Sequence, residues 1–533
     1  MATAKELLAE GHSVVCFERA ASLGGVFRFG EADGVVWESC RLTSSALLTA
    51  FSDFPMTAAE PHPPVAEYVA YLTRYAETFG VLPHIRFDTT VESITRNPSG
   101  NWTLRTQSGE EMFDAVAVCS GLHQHPHVPE FAGQESFQGQ IIHAADYRRP
   151  AQVRGKKVLI IGAGESGADV AAEVAANAAE TVLSLRRGVA VLPRNQFGVP
   201  KDYQTSRLLN SPAHWIFQTR NPADNARRAA YRWTFLPFLF IDKALQLTYR
   251  YFWEYLPLLT SGDIGLNLKT RQITNQLLAE SGGTVNEQFG TKTDDFVRAI
   301  AQGRCKRAPA LDRFDGARAR FTDGAECTPD LVILCTGFET RVPFLSDSIA
   351  NTPRFLHTFH PEVGTSLGFI GFLRPAFGAI PPLAELQARW FAQLQSGHAV
   401  LPPKEEMQRS IAYWTNFRAH FFRAVRGRLD HLVEFTCFCD ELASRIGCKP
   451  AWRDLRKESR AFRKRFIAGA FVAAQYRLIG PHAKPELARA IIENLPILHP
   501  WPDRWNLQLR WFLSRTLHKL RGPEFAPKLE IEA

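Results

Sequence analysis

The sequence is short of paired cysteines, of long apolar runs and of low-complexity tracts, and each shortage argues against something. Its nine cysteines are odd in number and none is spaced as C-x-x-C. That speaks against a disulfide framework and a cysteine-based zinc site, and for a reducing, cytoplasmic setting. Cys119 and Cys335 close apolar runs and are expected in the core. No uncharged apolar run approaches the roughly 18 residues of a spanning helix, so none is expected. Lys5, Glu6 and Glu10 interrupt the start of the chain, which reads as an amphipathic helix and not as a signal peptide. The net charge of +8 is a mild excess of 62 basic over 54 acidic side chains. It suits phosphate-bearing cofactors or an anionic membrane surface. No dense basic run accompanies a nucleic-acid motif, so no nucleic-acid partner is expected.

What is present is a folded composition, 45% hydrophobic and 22% charged over 533 residues, enough for two or three domains. The sharpest local signal is Lys157 to Ile161, a buried-strand run, followed by Gly162-Ala-Gly164-Glu-Ser-Gly167 and then by helix formers from Ala168 to Ala179. Strand, glycine loop and helix predict a dinucleotide-binding βαβ opening. Gly162 permits the tight turn, Gly164 lets backbone reach a pyrophosphate, and Gly167 lets helix and strand pack closely. The helix N-terminus offers free N–H groups and a positive dipole end. The next strand, Thr181 to Leu185, ends in Arg186-Arg187 where an acid would select NAD. Arginine suits a ribose 2′-phosphate, so NADPH is expected. A solvated arginine pair is the plainer alternative.

The same grammar opens the chain without its first part. Ala2 to Gly11 reads as a helix and Ser13 to Phe17 as a strand ending at Glu18. An acid there suits a ribose hydroxyl, which predicts the adenosine half of FAD. Gly24-Gly25-Val26-Phe27 follows, and paired glycines let the chain pass close to a ligand. The matching first strand and G-x-G-x-x-G should lie upstream of Met1, and a start assigned at an internal Met is the expected explanation. Two further segments echo one another: Ala115 to Gly121, then Val128-Pro129, and Leu331 to Gly337, then Val342-Pro343. In the second, Thr336 and Gly337 are candidate cofactor contacts. Two dinucleotide units imply electron traffic between NADPH and a flavin.

At this point the residues resemble a known family. Phe137-Gln-Gly139-Gln-Ile-Ile-His143-Ala-Ala-Asp-Tyr147 is similar to the F-x-G-x-x-x-H-x-x-x-[YF] fingerprint of flavin-containing monooxygenases, and it precedes the glycine loop as it does there. Phe51-Ser-Asp-Phe-Pro-Met56, Ile333 to Phe338, Leu386 to Trp390 and Gln475 to Pro481 resemble other segments of that family in their order. The resemblance implies that NADPH reduces FAD, that oxygen forms a C4a-hydroperoxyflavin, and that a nucleophilic nitrogen or sulfur of a small molecule takes one oxygen atom. It implies FAD contacts at Glu18, Val26, Phe27 and Ser44. It implies NADP contacts at Ser166, Gly167, Ala168 and Asp169, and a hinge role for His143. The family's catalytic asparagine falls on Thr43, with Ser44 beside it, so an amide's paired donor and acceptor are replaced by hydroxyls.

The expected architecture is α/β, with two Rossmann-like domains for FAD and NADPH and a mostly helical C-terminal region. The NADPH domain (149–330, with a helical insert at about 205–300) is inserted in a discontinuous FAD domain (1–148 and 331–485). A basic amphipathic extension (486–533) carries Arg504 to Arg521, whose apolar face fits either a membrane surface or the protein's own body. Two rivals stand beside N- or S-oxygenation. One is a Baeyer–Villiger oxygenase, against which Tyr147 argues, since that family usually has Trp there. The other is an NADPH-binding protein without oxygenase activity.

Overall fold

The structure, a computed structural model, describes residues 1–30, 34–196, 198–210, 262–283, 288–422, 424–425 and 429–498. Most of the expected 205–300 insert and the whole of Arg504 to Arg521 lie outside the described residues. Among the described residues no helix is long and apolar enough to cross a membrane.

A five-stranded, all-parallel sheet organises one half of the molecule. Its order is Lys306–Ala308, Glu180–Ser184, Lys157–Ile161, Leu331–Leu334, Gln140–His143. The central strands read KVLII and LVIL because a parallel sheet is covered on both faces, and all four residues of Leu331–Leu334 are buried. The helix Glu165–Asn177 covers one face, burying Gly167, Ala168, Val170, Ala171, Val174 and Ala175 at helical spacing. Each fully buried valine there contributes about 1.5–3 kcal/mol. Two strands of this sheet come from outside the 149–330 span. Leu331–Leu334 bonds Lys157–Ile161 on one side and Gln140–His143 on the other. An apolar strand buried on both faces needs a neighbour at each edge, so the sheet draws in both flanks of the expected boundaries.

The other half is built from two parallel strand pairs, Cys16–Phe17 with Ile85–Arg86 and Val116–Val118 with Leu367–Phe369. Among the described residues no strand joins the two pairs. The first expected strand shortens to two residues, and the first helix spans Ala2–Ala9. Each half carries a three-stranded antiparallel meander: Val91–Arg96, Trp102–Thr106 and Gly109–Phe113 in this half, and Leu311–Asp315, Arg318–Phe321 and Glu326–Cys327 in the other. The expectation for Cys119 is corrected. It is exposed, because its strand ends at Val118 and the chain then turns along a cavity. Cys335 is only partly buried.

Beyond residue 380 the described chain is mainly helical, with Ile380–Gln395, Lys404–Phe421, Phe435–Ile446, Arg460–Ala468 and Pro485–Glu493. A buried ionic cluster ties this region to the N-terminal helix. The Arg477 guanidinium lies 2.6 Å from Glu6, 3.0 Å from Glu385 and 3.4 Å from Asp53, while Lys5 bonds Glu6 and Asp53 at 2.7 Å each. Three carboxylates in an apolar interior require such cations. The cations hold the Asp53 carboxyl down at about 2, against the opposing effect of its burial, which is the largest single influence.

Candidate functional site

One cavity of about 1700 Å³ runs between the two halves. That exceeds the roughly 300–1000 Å³ of a single-ligand pocket, so there is room for more than one bound molecule. Glu18, Gly24, Gly25, Val26, Phe27, Thr43 and Ser44 line it from one side. Gly164, Ser166, Gly167, Asp169, Arg186 and Arg187 line it from the other, with Thr336 and Gly337 at the junction. Gly162 and Ala168 stand behind this surface; Ala168 is buried in the helix–sheet core.

The glycine loop divides its work among three positions. At Gly162 φ is +98° and a Cβ would lie 2.8 Å from the Cys335 carbonyl oxygen, so the turn requires glycine. At Gly167 a Cβ would meet the Gly162 oxygen at 2.2 Å. At Gly164 a Cβ would meet nothing within 4 Å. The open approach is therefore at Gly164, the N-cap of the following helix, where no side chain caps the free N–H groups. Glu165 in the first turn is neutralised by Lys292 at 3.0 Å. Asp169 accepts two hydrogen bonds from Arg194, at 3.0 and 2.8 Å, yet burial pushes its carboxyl up to about 6. Arg186 and Arg187 are exposed at the strand end, and neither meets a carboxylate among the described residues; Arg187 donates to the Ala424 carbonyl at 3.0 Å. This half fits a phosphate-rich dinucleotide.

Opposite, Glu18 accepts from the Ala20 N–H at 3.0 Å. Gly24 and Gly25 have φ of +125° and +53°, and a Cβ on Gly25 would meet open space. Phe27 packs edge-on against Tyr68 at 5.0 Å. Ser44 Oγ lies 3.0 Å from Thr49 Oγ1, and the Ser45 N–H donates to Asp202 at 2.6 Å. These residues offer a ribose acceptor and a close backbone approach. No described residue of this half forms a glycine loop ahead of the Ala2–Ala9 helix. At the junction the antiparallel pair Phe338–Glu339 and His125–Pro126 carries the chain between halves. His143 Nδ1 accepts from the Ala145 N–H at 3.0 Å and Nε2 donates to the Gly337 carbonyl at 3.1 Å. Both nitrogens are used by one neutral tautomer, and burial lowers the imidazole's basicity. Tyr147 is fully buried and its hydroxyl donates to Glu173 at 2.6 Å.

Sequence reasoning missed Asp202, Phe289, Lys292, Arg374, His123 and His431. Most stand alone in irregular segments, where no period marks them. Arg374 carried a signal: it is a charge inside the apolar run Gly371 to Gly378.

A double nucleotide-binding α/β fold with a shared cavity defines a two-cofactor oxidoreductase. A family model described as flavin-binding monooxygenase-like matches residues 1–217 and 266–500. The chain belongs to that family, and it is a monooxygenase that uses FAD and NADPH. It is 33% identical over 517 residues to a 4-hydroxybenzoate brominase (decarboxylating) of Marinomonas mediterranea, covering 94% of this chain and 92% of that one. It is 31% identical over 498 residues to flavin-containing monooxygenase 2 of Homo sapiens, covering 89% and 85%. Among solved structures, S-allyl-L-cysteine S-oxygenase from Allium sativum matches with TM-score 0.57 and 21% identity over 96% of each chain. A steroid monooxygenase bound to NADP matches with TM-score 0.58 and 19% identity, over 83% of this chain and 94% of that one. The two structural likenesses speak to the fold.

Proposed function

We propose that this monooxygenase delivers one oxygen atom to a soft nucleophile, a nitrogen or sulfur of a small molecule, with NADPH as the electron donor. The observation that carries the reading is the engagement of polar side chains that line the cavity shared with Thr43 and Ser44. His143 has both nitrogens engaged, Glu165 is paired with Lys292, and Ser44 is tied to Thr49. Such a site positions and desolvates more than it shuttles protons, which suits transfer to a group that needs no deprotonation. The bound flavin supplies the oxygen activation; the chain supplies orientation. In this reading Gly164 and Gly167 bring backbone to the NADPH pyrophosphate, and Arg186 and Arg187 take its 2′-phosphate. Glu18 and Gly24 to Phe27 hold FAD. Thr43 and Ser44 offer hydroxyls where the reaction takes place.

A second reading has its own support. The 33% identical relative is named a brominase. Electrophilic bromination needs an oxidised bromide, so a halide is then the nucleophile that accepts oxygen. NADPH consumption with a thioether, a tertiary amine, a ketone, and bromide plus a phenol separates the readings. A sulfoxide or N-oxide supports the first, a brominated phenol the second, and an ester from the ketone overturns both.

A further inference from the structure

In the wall of the cavity stands a cation without a counter-ion among the described residues. Arg374 lies on a short strand, Arg374–Pro375, paired in parallel with Leu432–Val433, and its N–H donates to the His431 carbonyl at 2.9 Å. Its guanidinium stacks 3.9 Å from the centroid of Phe289. Among the described residues no carboxylate or carbonyl accepts from that guanidinium. The carboxylate that acts on it, Glu165, is already held by Lys292 at 3.0 Å. Removal from water with no hydrogen-bond partner lowers the affinity of Arg374 for its proton, against the pull of Glu165. Two imidazoles line the same cavity. His431 Nε2 is buried with no hydrogen-bond partner, and His123 and His431 each feel the charge of Arg374. Burial holds His123 at about 3 and His431 at about 4, so both are neutral near pH 7. Phe289, Pro375, Ala379 and Leu429 supply apolar walls.

A half-buried, unpaired cation is partly stripped of water, and an incoming anion recovers that free energy. Stacking fixes the guanidinium plane and leaves its donor edge free for a bidentate acceptor. We propose that Arg374, with His123 and His431 beside it, is the subsite that receives the carboxylate of a small aromatic acid. The carboxylate takes the guanidinium edge, the imidazoles donate to its remaining lone pairs, and the ring lies along the apolar walls. The inference rests on the oxygenase reading and adds the group that anchors the substrate, a carboxylate on an aromatic ring, whichever nucleophile takes the oxygen; 4-hydroxybenzoate serves as a binding probe for that anchor. The competing source of an anion is a phosphate of NADPH, and the test separates the two.

Calorimetric titrations of the purified full chain, flavin included, with 4-hydroxybenzoate and with its neutral amide give the first answer. The acid should bind at least 10-fold tighter than the amide. In Arg374→Gln that preference should vanish while the affinities for the amide and for NADP⁺ hold, and Arg374→Lys should restore part of it. Equal binding of acid and amide by the unaltered protein overturns the proposal, whatever the variants do. So does a loss of NADP⁺ affinity in Arg374→Gln with the acid unaffected. Binding is read without turnover, so a protein that prefers the acid but never consumes NADPH would refute the oxygenase reading alone.

Discussion

The glycine loop offers a test in which stability and binding separate at two residues three apart. Gly164→Ala places a methyl group in open space, with nothing within 4 Å. Its backbone, at φ −72° and ψ −166°, is extended and available to alanine. The fold should tolerate the change within about 0.5 kcal/mol. The methyl group nevertheless stands where a pyrophosphate must approach, so NADP⁺ affinity should fall at least tenfold, about 1.4 kcal/mol. Gly167→Ala places the same methyl group 2.2 Å from the Gly162 oxygen and 2.9 Å from Cys335 Cβ. Helix and strand must separate to admit it, at a cost of about 1–3 kcal/mol as for other overpacked sites. Urea denaturation of both variants, followed by NADP⁺ titration at low urea, reads the two effects apart. The reasoning fails if Gly164→Ala binds NADP⁺ like the parent, or if it unfolds as early as Gly167→Ala.

Replacing Arg186 and Arg187 together by Gln should raise the KM for NADPH at least tenfold and leave that for NADH unchanged, measured by absorbance at saturating substrate; equal effects on both would remove the 2′-phosphate assignment. Arg477→Met strips the buried cation from Glu6, Asp53 and Glu385 and should destabilise the protein by about 3–5 kcal/mol, read as a shift in denaturation midpoint. A shift worth under about 1 kcal/mol would mean that Lys5 and Lys484, which lies 3.2 Å from Asp53, suffice. Asp202 is pushed from 3.8 up to about 6, chiefly by burial. Between those values the folded protein holds a proton that the unfolded chain has released, so this carboxyl costs stability progressively as pH rises through the window and a constant amount above it. Asp202→Asn should therefore stabilise the protein at pH 8 relative to its effect at pH 3.5, and denaturation midpoints showing the opposite order would refute the assignment.

Much of the fold was legible because a few local rules act over short spans. Lys157 to Ile161 and Leu331 to Leu334 are apolar without alternation, which only a doubly covered parallel strand requires. Gly162 and Gly167 could be read as obligatory because turn and helix–strand contact lie within a few residues of each other. The sequence by itself thus determined the nucleotide-binding units, their order and the cofactors. Tertiary structure alone decided what depends on distant segments meeting. The five-stranded sheet recruits Gln140–His143 and Leu331–Leu334 because hydrogen-bond pairing, not chain position, completes an edge. Cys119 became exposed because the cavity, invisible in a linear pattern, passes the end of its strand. Arg374 could be seen as a charge among apolar residues. That it lacks a counter-ion emerged only once Phe289, His431 and His123 were brought around it and Lys292 had taken the nearby Glu165. Pairing of buried charge is a property of three-dimensional neighbours, and no one-dimensional period encodes it.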